Sequence, residues 1–437
     1  QLHSRQCRRS RPHFQQYPSM KILLVNTSDH KGGAAIAAMR LLEALRKNGQ
    51  EATLLCRDKG TGEEGVVGLP ASRRQQLRFI AERAEIFATN GFSRKNLFAI
   101  DTAAHGTDIT RLPLFKEADV IHLHWINQAM LSLGDLKKIF NSGKKVVWTL
   151  HDMWPVTGIC HHAQTCDRWL ADCGNCRLLK RPAPHDISYR IFHKKQKIYA
   201  AARNLTFVGC SRWLTDLARR SPLTAGHEVC NISNPIDTDF YAPQPAAAAR
   251  EALGLPAESK LLLFVAFKAT DPGKGIAYLR EAVDIIAKGN KELAATLGVV
   301  IVGKEAERAA EGFACRTYPL GYITDMEKMR TIYQAIDILT MPTLMDNLPN
   351  TIVEAQACGK PCVGFNVGGL PEMIADGLNG MLVPTGNAQE LAQGITAVLS
   401  TKSYDALSRN ARTAAVSNYS QKAVAEKYIA VYNGTDK

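Results

Sequence analysis

MPTLMDNLPNTIVEAQACGKPCVGFNVGGLPE, from Met341 to Glu372, places two carboxylates around one turn of chain. Asp346 and Glu354 stand eight residues apart. Asn350 is a capping residue type, and Gly359 with Pro361 ends the helix it opens. Asp346 then lies in the loop before that helix, with Glu354 about one turn inside. Carboxylates accept paired hydrogen bonds from diols, and the free N–H groups of a first turn hold an anion. A sugar nucleotide carries both groups. A capped surface helix with two solvated acids fits the spacing equally well. The residues after Glu354 favour the ligand: Cys358-Gly359-Lys360-Pro361-Cys362-Val363 reads as a helix end and a buried strand, and Gly368-Gly369-Leu370-Pro371-Glu372 as a second glycine loop opening a helix.

Strand, loop and helix alternate along most of the chain. Lys21–Val25 is a nearly continuous apolar run, the pattern of a buried parallel strand. It enters Asn26–Gly33 and then a helix over Ala34–Asn48. Further strands are expected at Glu51–Cys56, Val120–His124, Lys145–Leu150 and Leu205–Cys210. The pattern restarts with strands at Lys260–Ala266, Gly298–Val302, Thr317–Leu320, Ile338–Met341 and Pro361–Phe365. At 437 residues the chain suits two domains. We therefore expect an α/β protein of two doubly wound parallel-sheet domains facing a cleft. Residues 20–221 form the first, 222–243 a linker and 244–420 the second, and 421–437 a helix crossing back to the first. Residues 1–19, with four arginines and no acid, contain no apolar run of a secretory signal and read as a disordered tail or an artefact.

The net charge of +13 is unevenly spread: residues 20–230 carry 31 basic and 19 acidic side chains, and residues 231–437 carry 19 and 22. The excess points to an anionic partner for the first half, or to a solvated basic face. No nucleic-acid recognition motif is visible, so an anionic membrane surface or a lipid-pyrophosphate acceptor fits better. Arg73, Arg74, Arg78 and Arg83 interleave with Leu77, Phe79, Ile80, Ile86 and Phe87. They outline a helix lying on such a surface or one packed on the sheet. No apolar run reaches the roughly 18 residues of a membrane span.

Three more constellations bear on chemistry. His151 and Asp152 end the strand Lys145–Leu150, and the C-terminal ends of such strands face the ligand crevice. Lys268 and Lys274 lie six apart in a Gly/Pro loop that brings both to one diphosphate, although two solvated lysines explain that loop better on its own. Cys160, Cys166, Cys173 and Cys176 meet the count for structural zinc, read ahead of two disulfides or free thiols.

Together these motifs resemble the retaining glycosyltransferases of family 4, whose fold is GT-B, from Met20 to about Tyr432. The family's Glu-x7-Glu stands here as Asp346-x7-Glu354, and Asp-Asn-Leu-Pro-Asn with the cysteine loop resembles a subgroup of polysaccharide, O-antigen and capsule assembly. The resemblance implies that Glu354 binds the nucleotide ribose and Asp346 the donor sugar, with Asn347, Leu348 and Pro349 lining the pocket. Lys268 and Lys274 occupy the diphosphate-binding Arg and Lys positions, and His151 the cleft histidine position. Gly32 and Gly33 match the first-domain glycine loop, and Tyr322 and Ile323 flank the base. It also implies a UDP- or GDP-sugar donor, a saccharide or lipid-linked acceptor, chemistry without a metal, no protein nucleophile, and a cytoplasmic place, peripheral on the inner membrane face. A nucleotide-sugar 2-epimerase and a non-catalytic nucleotide-sugar binder are the alternatives on the same architecture.

Overall fold

The computed structural model describes residues 18–70 and 72–435, so the tail over 1–19 falls almost wholly outside the described residues. Two parallel sheets organise the chain. The first runs β3 (Val66–Gly68), β2 (Glu51–Asp58), β1 (Lys21–Ser28), β4 (Val120–Leu123), β5 (Lys145–Leu150), β6 (Leu205–Gly209), β7 (Glu228–Asn231). The second runs β10 (Arg316–Gly321), β9 (Leu297–Lys304), β8 (Lys260–Lys268), β11 (Ile338–Met341), β12 (Cys362–Phe365), β13 (Gly380–Val383).

Every strand pairing within these two sheets is parallel, which requires a crossover between neighbours and helices on both faces. The central strands are apolar on both sides for that reason: Ile22, Leu23, Leu24 and Val25 are all buried. Helix Gly33–Lys47 turns Ala35, Ala38, Leu41, Leu42 and Leu45 onto the sheet at three- and four-residue spacing. Alanines in that stripe let the helix approach the strands closely.

β7 extends the first sheet to Asn231, so the sheet continues into the segment read as a linker. Helix Gln421–Asn433 returns to the first domain. It buries Val424, Tyr428, Ile429 and Tyr432 in one cluster with Ile22, Leu24 and Leu41. Its tyrosine hydroxyls reach under the sheet's ligand edge, Tyr432 to His122 Nδ1 at 2.7 Å and Tyr428 to Thr149 Oγ1 at 2.9 Å.

In each sheet the strand order reverses direction once, between β1 and β4 and between β8 and β11. The loops leaving such a pair diverge to opposite faces and leave a crevice at the carboxyl ends. The two crevices face each other, and most of the candidate site residues lie in the loops around them.

Candidate active site

In the second domain the β8 and β11 loops are stitched together. Leu344 N donates to Gly273 O at 2.9 Å, and Thr343 Oγ1 to the same carbonyl at 3.2 Å. This brings Lys274 Nζ to 2.7 Å from Asp346 Oδ2. The β12 loop lies directly on the pair: a Cβ at Gly369 would collide with the Asn347 carbonyl, and one at Gly368, whose φ is +59°, with that of Asp346. The two glycines that the sequence offered as a helix-opening loop thus allow close backbone approach to the acid loop.

Helix Asn350–Ala357 starts one residue earlier than the capping reading required. Pro349 occupies the cap position, and Asn350 is already helical. Glu354 sits in its second turn, 7% exposed, and accepts from two sides. Tyr333 Oη donates to Oε2 at 2.6 Å, and Arg40 Nη2 reaches Oε1 at 2.5 Å. Arg40 comes from helix Gly33–Lys47 of the first domain, so this ion pair spans the cleft. Burial works against the guanidinium charge, but the Glu354 carboxylate overrides it and raises the Arg40 pKa.

Asn347 is a clasp between domains. Its Nδ2 donates to His151 O at 3.2 Å and to Cys210 Sγ at 3.0 Å, and its Oδ1 accepts from the Ser211 hydroxyl. Those bonds turn the side chain to the first domain. Leu348 is buried in the second domain's core. Glu372 adds a second crossing, accepting from Arg212 N at 2.6 Å and Trp213 N at 2.8 Å at the start of helix Arg212–Arg220.

On the first-domain side, His151 follows β5 and His124 follows β4. His151 Nε2 lies 2.9 Å from His124 Nδ1, and burial lowers the His151 pKa to about 4. Asp152 accepts from Trp125 Nε1 at 2.8 Å and pairs with His161 Nδ1 at 2.8 Å. Burial opposes both charges, yet the pairing lowers Asp152 to about 2 and raises His161. The exposed His162 lies within the fields of Asp346 and Lys274, which brings the cysteine loop to the cleft. Gly32 is the cap of helix Gly33–Lys47 at φ +87°, and space is open where a Cβ would stand on it or on Gly33.

Three further expectations concern Lys268, the four cysteines and helix Arg73–Thr89. Lys268 pairs with Glu305 at 3.0 Å and Lys274 with Asp346, since β8 ends by pairing Lys268 with Lys304 and turns it toward the β9 loop. The four cysteines pack against one side of the first domain's core, close enough for their thiols to act on one another. Among the described residues no group of three or more His, Cys, Asp or Glu is arranged to hold a metal ion, and all four thiols are free. Burial raises Cys160 to about 11 and Cys173 to about 12. Helix Arg73–Thr89 combines its two readings: Arg83 is buried against Asp101 at 2.7 Å, while Leu77 and Ile80 are exposed.

Near Tyr322, the exposed Phe267 ring packs edge-on at 5.4 Å, and Lys304 Nζ stands 4.2 Å above Phe267. Ile323 packs half-buried against the core. Arg40, Tyr333 and Ser211 belong to no local motif and were missed by sequence reasoning, and Glu372 was read only as part of a glycine loop, because its partners lie 160 and 159 positions away.

Two opposed Rossmann-like domains with the loops of both switch points around one cleft define the GT-B class of glycosyltransferases. Residues 31–240 match the family described as Glycosyltransferase Family 4, and residues 259–401 that described as Glycosyl transferases group 1. The chain belongs to the family 4 glycosyltransferases. It is 28% identical over 326 residues to the D-inositol 3-phosphate glycosyltransferase of Saccharomonospora viridis, covering 71% of this chain and 69% of that protein. The putative colanic acid biosynthesis glycosyl transferase WcaC of Escherichia coli is 21% identical over 81% of this chain and 85% of its own. Among solved structures, HepE of Anabaena in complex with UDP superposes with a TM-score of 0.62 at 17% identity, over 95% of this chain and 100% of that one.

Proposed function

We propose that the protein transfers a sugar from a nucleoside-diphosphate sugar, UDP- or GDP-linked, to a saccharide or lipid-linked saccharide, with retention at the anomeric carbon. The observation that carries this reading is the convergence of Glu354, Asp346 and Lys274 at the second domain's switch point, facing His151. Glu354 takes the ribose diol, whose hydroxyls replace the Arg40 Nη2 contact on the same carboxylate. Lys274 sits where it neutralises charge growing on the departing diphosphate, in a crevice whose low dielectric strengthens the effect. Asp346, released from Lys274 by the diphosphate, accepts from hydroxyls of the donor sugar. The base lies by Tyr322 and Ile323. HepE, solved with UDP and with UDP-glucose, supports the uridine donor.

No side chain is assigned as nucleophile. The leaving diphosphate itself takes the acceptor's proton on the face it departs from, which preserves configuration. The acceptor enters from the first domain. Exposed Leu77, Ile80, Phe92 and Phe98 beside exposed Arg73, Arg74, Arg94 and Lys95 support peripheral binding at the anionic cytoplasmic membrane face.

The test follows slow hydrolysis of UDP- and GDP-sugars by NMR, with chelator present and no acceptor. Release of free sugar with the donor's own anomeric configuration is expected. Release of the opposite anomer would overturn retention, and conversion to an epimeric sugar nucleotide would favour an epimerase.

A further inference from the structure

Three histidines stack through the first domain's ligand edge, with ring centroids 4.3 Å apart for His122 and His124 and 5.2 Å for His124 and His151. His122 bonds at both nitrogens to hydroxyls, Tyr432 Oη at 2.7 Å and Thr149 Oγ1 at 2.8 Å. A hydroxyl rotates to donate or accept, so His122 is satisfied in either tautomer. The next pair has no such freedom. His124 Nδ1 and His151 Nε2 are 2.9 Å apart, and the buried His124 Nε2 has no hydrogen-bond partner.

Burial lowers both pKa values, His124 well below the usual range and His151 to about 4, so each ring carries one proton at neutral pH. Two arrangements satisfy the bond between them. In one, His151 Nε2–H donates to His124 Nδ1; His124 then carries its proton on Nε2, a buried N–H with no acceptor. In the other, His124 Nδ1–H donates to His151 Nε2. The orphan at His124 Nε2 is then a bare lone pair, and His151 carries its proton on Nδ1. Buried N–H groups without an acceptor are the rarer defect in folded proteins, so the second arrangement is favoured. His151 is half-buried at the cleft, while its carbonyl is held by Asn347.

We propose that His124 is a positioning residue that holds His151 in its Nδ1–H tautomer, so that His151 presents a neutral hydrogen-bond donor to an oxygen of the transferred sugar. A donor suits that place because hydroxyl and phosphoryl oxygens both accept, and a neutral one leaves the charge balance around Lys274 undisturbed. The inference rests on the glycosyltransferase reading for the identity of the acceptor oxygen, but not for the tautomer.

Long-range proton–nitrogen NMR of the histidine-labelled wild-type chain reads the tautomer without any activity, with His151→Gln assigning the ring. The expected spectrum has His151 Nδ1 protonated and Nε2 bare; the reverse would overturn the proposal while leaving glycosyl transfer standing. Two variants read the consequence. His124→Asn keeps an amide N–H near the Nδ1 position, and His124→Leu removes it. His124→Asn should hold kcat within about threefold of wild type, and His124→Leu should lose roughly tenfold or more in kcat with UDP affinity unchanged. Equal impairment of the two, or full activity in His124→Leu, would contradict the positioning role. Absence of any donor turnover in the wild type, with the Nδ1–H tautomer seen, would count against the proposed function and not against the tautomer.

Discussion

Glu354 lies between Tyr333 of its own domain and Arg40 of the other, and the proposed function needs it for a diol. Its two partners, Arg40 and Tyr333, fix the position of the carboxylate from both sides. Glu354→Gln preserves shape and some hydrogen bonding but loses the charge, and hydrogen bonds to charged groups contribute about 1.5–3 kcal/mol. We expect UDP-sugar affinity to fall by about 10- to 100-fold in isothermal titration; unchanged affinity would remove Glu354 from the site. His122 and His124 give a second residue-scale prediction. Burial holds the first at about 3 and the second well below the usual range, so the folded chain stays unprotonated there. The unfolded chain takes up those two protons as pH falls through about 6.5, so stability is lost on acidification and not on raising the pH. Urea unfolding between pH 6 and 4.5 should show stability dropping by about 2.7 kcal/mol per pH unit from this pair. A flat profile would mean that the rings titrate normally.

At the scale of elements, the loops do more for the site than the strands that carry them. The β12 loop passes so close to the Asp346–Asn347 backbone that only glycine fits at position 369. Gly369→Ala should push the acid loop out of place and cut turnover by about 100-fold, the usual effect of a misplacement near 1 Å. The circular dichroism spectrum should stay native, and native turnover would show that the loop has slack. Helix Arg212–Arg220 starts on Glu372 of the opposite domain, and Ser211 Oγ also accepts from Leu214 N. Glu372→Ala should cost about 1–2 kcal/mol in thermal unfolding, as lost caps do; no change would show that Ser211 suffices.

The long strands and helix Gln421–Asn433 were legible because their apolar runs and periodicity exceed what a loop can mimic. β3, with three residues, and β7, a half-buried edge strand reading Glu-Val-Cys-Asn, carry too little apolar signal to be seen. β13, Gly380–Val383, is hidden because it opens on glycine and is half-buried at its two middle residues, whereas the equally short β4, β11 and β12 are buried throughout. Asp346 and Glu354 were legible by their spacing of eight, whereas the contact of Lys274 with Asp346, 72 positions away, was not. The side-chain direction of Lys268 was not, because it depends on which face of β8 ends the strand pairing.

On the scale of the whole molecule, the site consists of bonds between residues far apart in sequence. Arg40 and Glu354 are 314 positions apart, and Asn347 and His151 are 196. No local pattern encodes such pairs; they appear only when two sheets, each with its own switch point, are set face to face. The same bonds link the two domains, so the proposed exchange of the Arg40 contact for a donor ribose would let the domains readjust. The direct test is a thermal-shift panel of UDP-, GDP-, ADP- and CMP-sugars on wild type and Glu354→Gln. Ligand at about 100 times Kd contributes roughly 2.7 kcal/mol to the domain that binds it. The account predicts a rise of several degrees for sugars of one base, uridine or guanosine, that is lost in Glu354→Gln. A shift of the same size in both proteins, or none with any donor, would contradict it.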